Sequence, residues 1–278
     1  MDSRSFLGLE QSHNPFRWSM ELKPHLLTGG GFLFGGCGLG AAISALEATT
    51  DRRVIWATSQ YLSYARVGEF LDVDITVAVD GKNTSQARVV CHVGNREILT
   101  VNAALGERDF PHTGQWEQMP DVPPPTKCPL REHFVDEADT ISARMEQRLV
   151  KGRMVDDLDG TLGDGQTMMW ARLPEVIEGV DATTLAILGD FVPMGVGQAL
   201  GIRGGGNSLD NTLRVVDLVP TQWVLLDIRV HGVRNGFGHG LVHMFAEDGT
   251  LMATASQSCI VRMWGQGPNA RPPKGDPS

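Results

Sequence analysis

Cysteine is scarce and unpatterned in this chain: Cys37, Cys91, Cys128 and Cys259 make no CxxC pair and no metal-ligand spacing. That sets aside a disulfide scaffold and a zinc ribbon, and points to a reduced, cytoplasmic protein. Basic charge is also short. Lys and Arg number 24 against 33 Asp and Glu, a net charge of −9, so no general nucleic-acid surface is expected, although a local basic patch for a phosphate is compatible with it. The most apolar run, Gly31 to Leu46, is rich in glycine and falls short of the roughly 20 residues a membrane helix needs. The N-terminal Met1 to Asn14 has no basic segment followed by a long apolar core, so no membrane association is expected. A Gly-x-Ser-x-Gly elbow and a Walker loop are both missing, and Gly204-Gly205-Gly206 is not followed by Lys-Ser or Lys-Thr. Gly36 to Ala41 has the loose spacing of a dinucleotide loop. The strand after it, however, ends in Thr58-Ser59-Gln60 with no acid for a ribose. His239 and His243 share a strand face without a third ligand nearby. No metal or cofactor is therefore expected.

What is present is an ordinary globular composition, 41% hydrophobic and 21% charged, long enough for two modest domains. Residues 1 to 15 read as a loose lead-in and Phe16 to Leu22 as a first strand. From Gly36 to Thr49 the chain is apolar all round, the mark of a buried helix, and its glycines imply close packing against a wrapping sheet. Four strand-like blocks follow: Val54 to Tyr64, Glu69 to Asp80, Asn83 to Gly94 and Glu97 to Leu105. Residues 109–133 are proline-rich and aperiodic, and read as a linker. A second unit then repeats the plan. It has strands at Ser142 to Val150 and Thr167 to Leu173, a mostly apolar helix from Ala182 to Leu200 that contains Asp190, and further strands. The spacing of the repeat is about 150 residues, a domain-sized unit. These observations predict an N-terminal domain over 1–108, a C-terminal domain over 134–264, and a disordered tail over 265–278 rich in Pro, Gly and Lys.

The stretch from Ser208 to Arg262 carries the polar groups of most interest. Its apolar residues alternate in short blocks broken at Pro220, Gly236 and Asp248-Gly249, as in antiparallel strands with one buried face. Asp248-Gly249 predicts a type I′ hairpin joining Leu241–Glu247 to Thr250–Val261. Gln257 falls within that last strand, where an inward amide must find hydrogen-bond partners or lose about 1–3 kcal/mol. Met168, Met169 and Trp170 read as core.

Ser208-Leu209-Asp210, Trp223-Val-Leu-Leu-Asp227, the turn from Gly236 to Gly240, Asp248-Gly249-Thr-Leu-Met-Ala253 and Gln257 followed by Arg262 resemble the acyl-CoA thioesterase II family. The similarity runs from about Gly30 to Arg262, with the linker unmatched. The resemblance implies an α+β protein of two fused hotdog folds, each a curled antiparallel sheet around a central helix. It implies hydrolysis of acyl-CoA by a water held by an Asp, a Gln and a Ser or Thr, and assembly as a dimer or higher homo-oligomer. Asp210 matches the family's Asp and Gln257 its Gln. By spacing from Trp223 the hydroxyl position falls at His231, and Asn211 stands where the family has His.

On this reading Asp210 is the general base, Gln257 orients the water, and His231 takes the place of the hydroxyl. Phe34-Gly35-Gly36 resembles the family's Phe-Gly-Gly at a helix start, whose free N–H groups offer an oxyanion site. The plainer alternatives are that Asp210 ends a strand, that His231 is a surface residue, and that Gly35 and Gly36 serve helix packing. Overlaying the halves sets Gln257 opposite Ala104, so only the second half carries the polar pair. A binding protein without turnover and a hotdog lyase or hydratase are the competing functions.

Overall fold

The computed structural model describes residues 1–131 and 139–263; the expected tail at 265–278 and the last two residues of the expected linker lie outside them. A short helix α1 (Ser3–Leu7) opens the chain. In the first half β1 (Glu10–Gln11) and β2 (Arg17–Glu21) precede helix α2 (Gly35–Thr50), and β3 (Val54–Tyr61), β4 (Phe70–Asp80), β5 (Thr84–Val93) and β6 (Arg96–Gly106) follow it. In the second half α3 (Ile141–Arg144), β7 (Glu146–Lys151) and β8 (Gln166–Arg172) precede helices α4 (Ala182–Leu188) and α5 (Val192–Leu200). Four strands complete it: β9 (Gly204–Val215), β10 (Val224–Arg234), β11 (Phe237–Ala246) and β12 (Leu251–Met263).

The strands form one antiparallel sheet in the order β1-β2-β4-β5-β6-β3-β9-β12-β11-β10-β8-β7. Matching β3 with β9, β6 with β12, and so on outward, the order is the same in both directions from the centre. Each half is thus a hotdog of two strands, a helical segment and four strands, and the two sheets fuse edge to edge. The seam is the β3–β9 pair, centred on Thr58 opposite Thr212, whose hydroxyls lie 3.0 Å apart. Fusion satisfies two sheet edges that would otherwise present unpaired backbone groups.

The core forms because α2 is apolar on every side. From Gly36 to Leu46 it is buried, packed by β3 to β6 and, across the seam, by α4. The close approach of α2 and α4 depends on Gly36, where an added Cβ would lie 2.8 Å from the Ala186 carbonyl oxygen and 2.9 Å from Ile187 Cα. The packing expected of the glycines against the sheet is therefore, at Gly36, packing against another helix.

Four expectations are corrected. Residues 1–15 include a helix, because Asp2 caps the Ser5 N–H at 2.7 Å and Phe6, Leu7 and Leu9 bury their side chains. Residues Ile141–Arg144 are a helical turn, and strand begins only at Glu146. The apolar segment from Ala182 to Leu200 is two helices, since Pro193 lacks an N–H and seats itself in the first turn of a new helix. At Asp248-Gly249 only Gly249 has positive φ (90°), and its N–H closes on Ala246 O at 3.0 Å, so the turn is not type I′. The two consecutive positive φ values fall at Asn235 (51°) and Gly236 (79°), between β10 and β11.

The proline-rich segment covers the outer face of the second half. Met119, Val122 and Cys128 pack on Trp170, Trp223, Leu225, Phe245 and Leu251, and Trp170 Nε1 donates to Pro123 O at 2.9 Å.

Candidate functional site

The break between α4 and α5 places Asp190 where neither helix claims its carboxylate. The residue is 6% exposed and has no cationic partner among the described residues; it is held by neutral donors. Gly36 N–H, in the first turn of α2, donates to Oδ2 at 2.7 Å. Gln257 Nε2 and Ser208 Oγ both donate to Oδ1, the latter at 3.3 Å, and Gln257 Nε2 also lies 3.2 Å from Ser208 Oγ. The orientation of the Gln257 amide is fixed from its other end, where Val192 N–H at the start of α5 donates to Oε1 at 3.1 Å. Gln257 therefore caps one helix and turns its N–H toward Asp190. Two helix N-termini, one from each half, thus favour negative charge at this point.

Burial pushes the Asp190 carboxyl up from 3.8 to about 6, while the bonds from Gln257, Gly36 and Ser208 pull it down. It is ionised at neutral pH, with a basicity suited to accepting a proton from water. Two donors already occupy Oδ1 and one occupies Oδ2, so the remaining accepting position is on Oδ2. Cys37, the residue after Gly36, does not compete as a nucleophile, because burial and the nearby Asp190 charge push its thiol well up.

The sheet beneath supplies a polar row across the seam. Ser59 on β3 is opposite Asn211 on β9, and Asn211 is opposite Gln257 on β12. All three are buried, at 0%, 1% and 2% exposure. In the other half the symmetry-related row is Leu213, Ala57 and Ala103, which are also buried. The residue matching Gln257 is thus Ala103, one position from the Ala104 of the sequence overlay. The architecture is duplicated and the polar cluster is not.

Of the residues expected from sequence, Gln257 and Gly36 lie in this cluster, and Gly35 borders it: an added Cβ there would be 2.7 Å from Asp190 Oδ2. Asp210 does not. Strand alternation turns it away from the face that buries Asn211, and its carboxylate accepts Ser258 N–H at 2.8 Å. His231 is exposed, in a bulge of β10 between Val230 and Gly232, and β11 separates that strand from β12. The sequence reading missed Asp190 and Ser208. Asp190 is the only charge between Ala182 and Leu200, and a lone carboxylate in an apolar helical segment was the available signal. Ser208 stood in the quoted Ser-Leu-Asp motif, where the expectation fell on the acid and the hydroxyl lies on the cluster. Among the described residues there is no group of three or more His, Cys, Asp or Glu able to hold a metal. No helix among them is long and apolar enough to cross a membrane.

A double hotdog with one buried carboxylate–amide–hydroxyl cluster at its seam is the class of protein these observations define. Residues 24–106 match the acyl-CoA thioesterase N-terminal domain and residues 117–261 match the acyl-CoA thioesterase C-terminal domain, so the chain belongs to the acyl-CoA thioesterase family. Among solved structures, a protein of Novosphingobium aromaticivorans assigned provisionally as a thioesterase is 30% identical, with a TM-score of 0.81. The match covers 91% of this chain and 98% of that one. A hotdog-fold protein of unknown function from Alicyclobacillus acidocaldarius superposes with a TM-score of 0.81 at 20% identity, covering 95% and 98%. Acyl-CoA thioesterase II TesB2 from Mycobacterium marinum superposes at 0.72 with 20% identity, covering 96% and 100%. No curated protein matches by sequence.

Proposed function

We propose that this protein hydrolyses acyl-CoA thioesters to a free acid and CoA, using a water activated by Asp190. The observation that carries the reading is the meeting of Asp190, Gln257 and Ser208, from three separate chain segments, against the α2 N-terminus. Asp190 Oδ2 takes a proton from a water as that water's oxygen bonds to the thioester carbonyl carbon. The tetrahedral intermediate then expels sulfur, and the proton returns from Asp190 to the thiolate. Gln257 and Ser208 hold the carboxylate so that its free position faces the substrate. The Ser208 hydroxyl in the cluster supports turnover over the alternative of a binding protein without it. A lyase or hydratase reading would want a histidine beside the acid, and Asp190 is bonded to none among the described residues.

The test is thiol release from acyl-CoAs of short, long and branched chain. No release from any member contradicts the reading. The base must be ionised to act, so kcat/KM should fall as the pH drops through about 6, the Asp190 value. A rate independent of pH between 5 and 7 would remove Asp190 from that role. The same reading carries the division into hotdogs at 1–108 and 134–264 joined by 109–133, assembly as a dimer or higher oligomer, and a cytoplasmic setting in which the four buried cysteines stay free.

A further inference from the structure

Three buried polar atoms close to this cluster have no hydrogen-bond partner among the described residues: the Tyr61 hydroxyl and both amide atoms of Asn211. Tyr61 is the last residue of β3, two positions beyond Ser59, and Asn211 is the centre of the polar row, so the N-terminal half supplies one and the C-terminal half the other. Tyr61 borders Asp190, and Asn211 lies beside the Tyr61 phenol and cross-strand from Gln257. An added Cβ on Gly35 would lie 2.7 Å from Asp190 Oδ2 and 3.0 Å from the Tyr61 hydroxyl, so carboxylate and phenol flank the same small space. Ser59 and Asn211 are near enough to ease ionisation of the phenol, yet neither completes a hydrogen bond to it. The great majority of buried polar groups in folded proteins are hydrogen-bonded, so three unpaired atoms together make a place suited to a polar ligand group.

The hydrolysis reading also leaves a demand unmet. Negative charge develops on the carbonyl oxygen, and donors must meet it. The Gly36 amide expected to do so is committed to Asp190. Gly35, the first residue of α2, has no intrahelical acceptor for its amide but brings only one donor.

We infer that the Tyr61 hydroxyl and the Asn211 amide N–H donate to the carbonyl oxygen of the bound thioester, opposite the water held on Asp190. The inference rests on the acyl-thioester reading. Burial, and next to it the Asp190 charge, push the Tyr61 hydroxyl well above its ordinary value, so it keeps its proton at working pH and remains a donor. The oxyanion is thereby met by groups from both halves, and neither hotdog alone holds the complete site.

The test compares the whole protein with Tyr61→Phe, which removes one oxygen. Thiol release should fall on the order of 10²-fold in kcat. Its melting temperature should change little, because the hydroxyl completes no hydrogen bond among the described residues. Two unreactive CoA analogues separate donation from packing: a ketone with CH2 in place of sulfur, and a thioether that lacks the carbonyl. Tyr61→Phe should weaken the ketone by about tenfold and leave the thioether unchanged. Unchanged kcat, or equal weakening of both analogues, overturns the inference. If the native protein binds the ketone through Tyr61 yet releases no thiol, the hydrolysis reading fails and the carbonyl site stands. If native protein binds neither analogue, both fall.

Discussion

Asp190→Asn should lower thiol release from acyl-CoA by about 10²–10⁴-fold, the usual contribution of a positioned general base. The substitution removes the only acceptor of a water proton in the cluster while nearly preserving shape. Asn offers one oxygen where the carboxylate offers two, so either Gly36 N–H or the Gln257 amide loses its acceptor. Substrate affinity should change far less than kcat, because the lost interaction is made as the water is deprotonated. Asp210→Asn and His231→Ala are the matched controls. Asp210 accepts a strand amide and makes no contact with Asp190, and His231 is exposed beyond β11, so neither substitution should approach the loss in Asp190→Asn. A collapse in Asp210→Asn with full activity in Asp190→Asn would reverse the assignment.

Gly36→Ala should damage stability and turnover at once. Its Cβ would sit 2.8 Å from a carbonyl oxygen and 2.9 Å from a Cα of α4, both backbone atoms that no rotamer change can move aside. The two helices must separate, at a cost of about 1–3 kcal/mol, the usual range for overpacking. That separation also withdraws the Gly36 N–H from Asp190 Oδ2. Stability and turnover should therefore fall together, read as a lower melting temperature and a lower kcat in the soluble fraction. A variant with native melting temperature and native kcat would show that the α2–α4 contact is looser than the geometry indicates.

The fold was largely legible because its signals are local. Alternation in Val54 to Leu105 and in Leu213 to Val261 names strands, an apolar run from Gly36 names a buried helix, and their repetition names two halves. The lead-in failed because Asp2 and three apolar residues are too brief a pattern for a five-residue helix. The helix break at Gly189 to Phe191 failed because periodicity runs through Pro193 even though the proline starts a new helix there. The site was harder. Its acid, amide and hydroxyl are separated by many residues and meet only when β9, β12 and the α4–α5 break come together. In the Ser-Leu-Asp motif, strand geometry decides which side chain faces inward, and the bulge at Leu209 of β9, opposite the Ser258–Cys259 step of β12, shifts that register. Asp210 is the stronger acid by residue type, and Ser208 is the one on the cluster.

In the proposed reaction a solvent water, held on Asp190 at the seam, attacks the thioester. A single turnover in H2¹⁸O, with enzyme in excess over acyl-CoA, reads this directly by mass spectrometry of the acid. One ¹⁸O in the acid formed in that first turnover, with no label entering the Asp190 carboxylate, is the expected result. Unlabelled acid accompanied by ¹⁸O in Asp190 would mean that the carboxylate itself attacks, and absence of acid would mean that this protein does not hydrolyse the thioester at all.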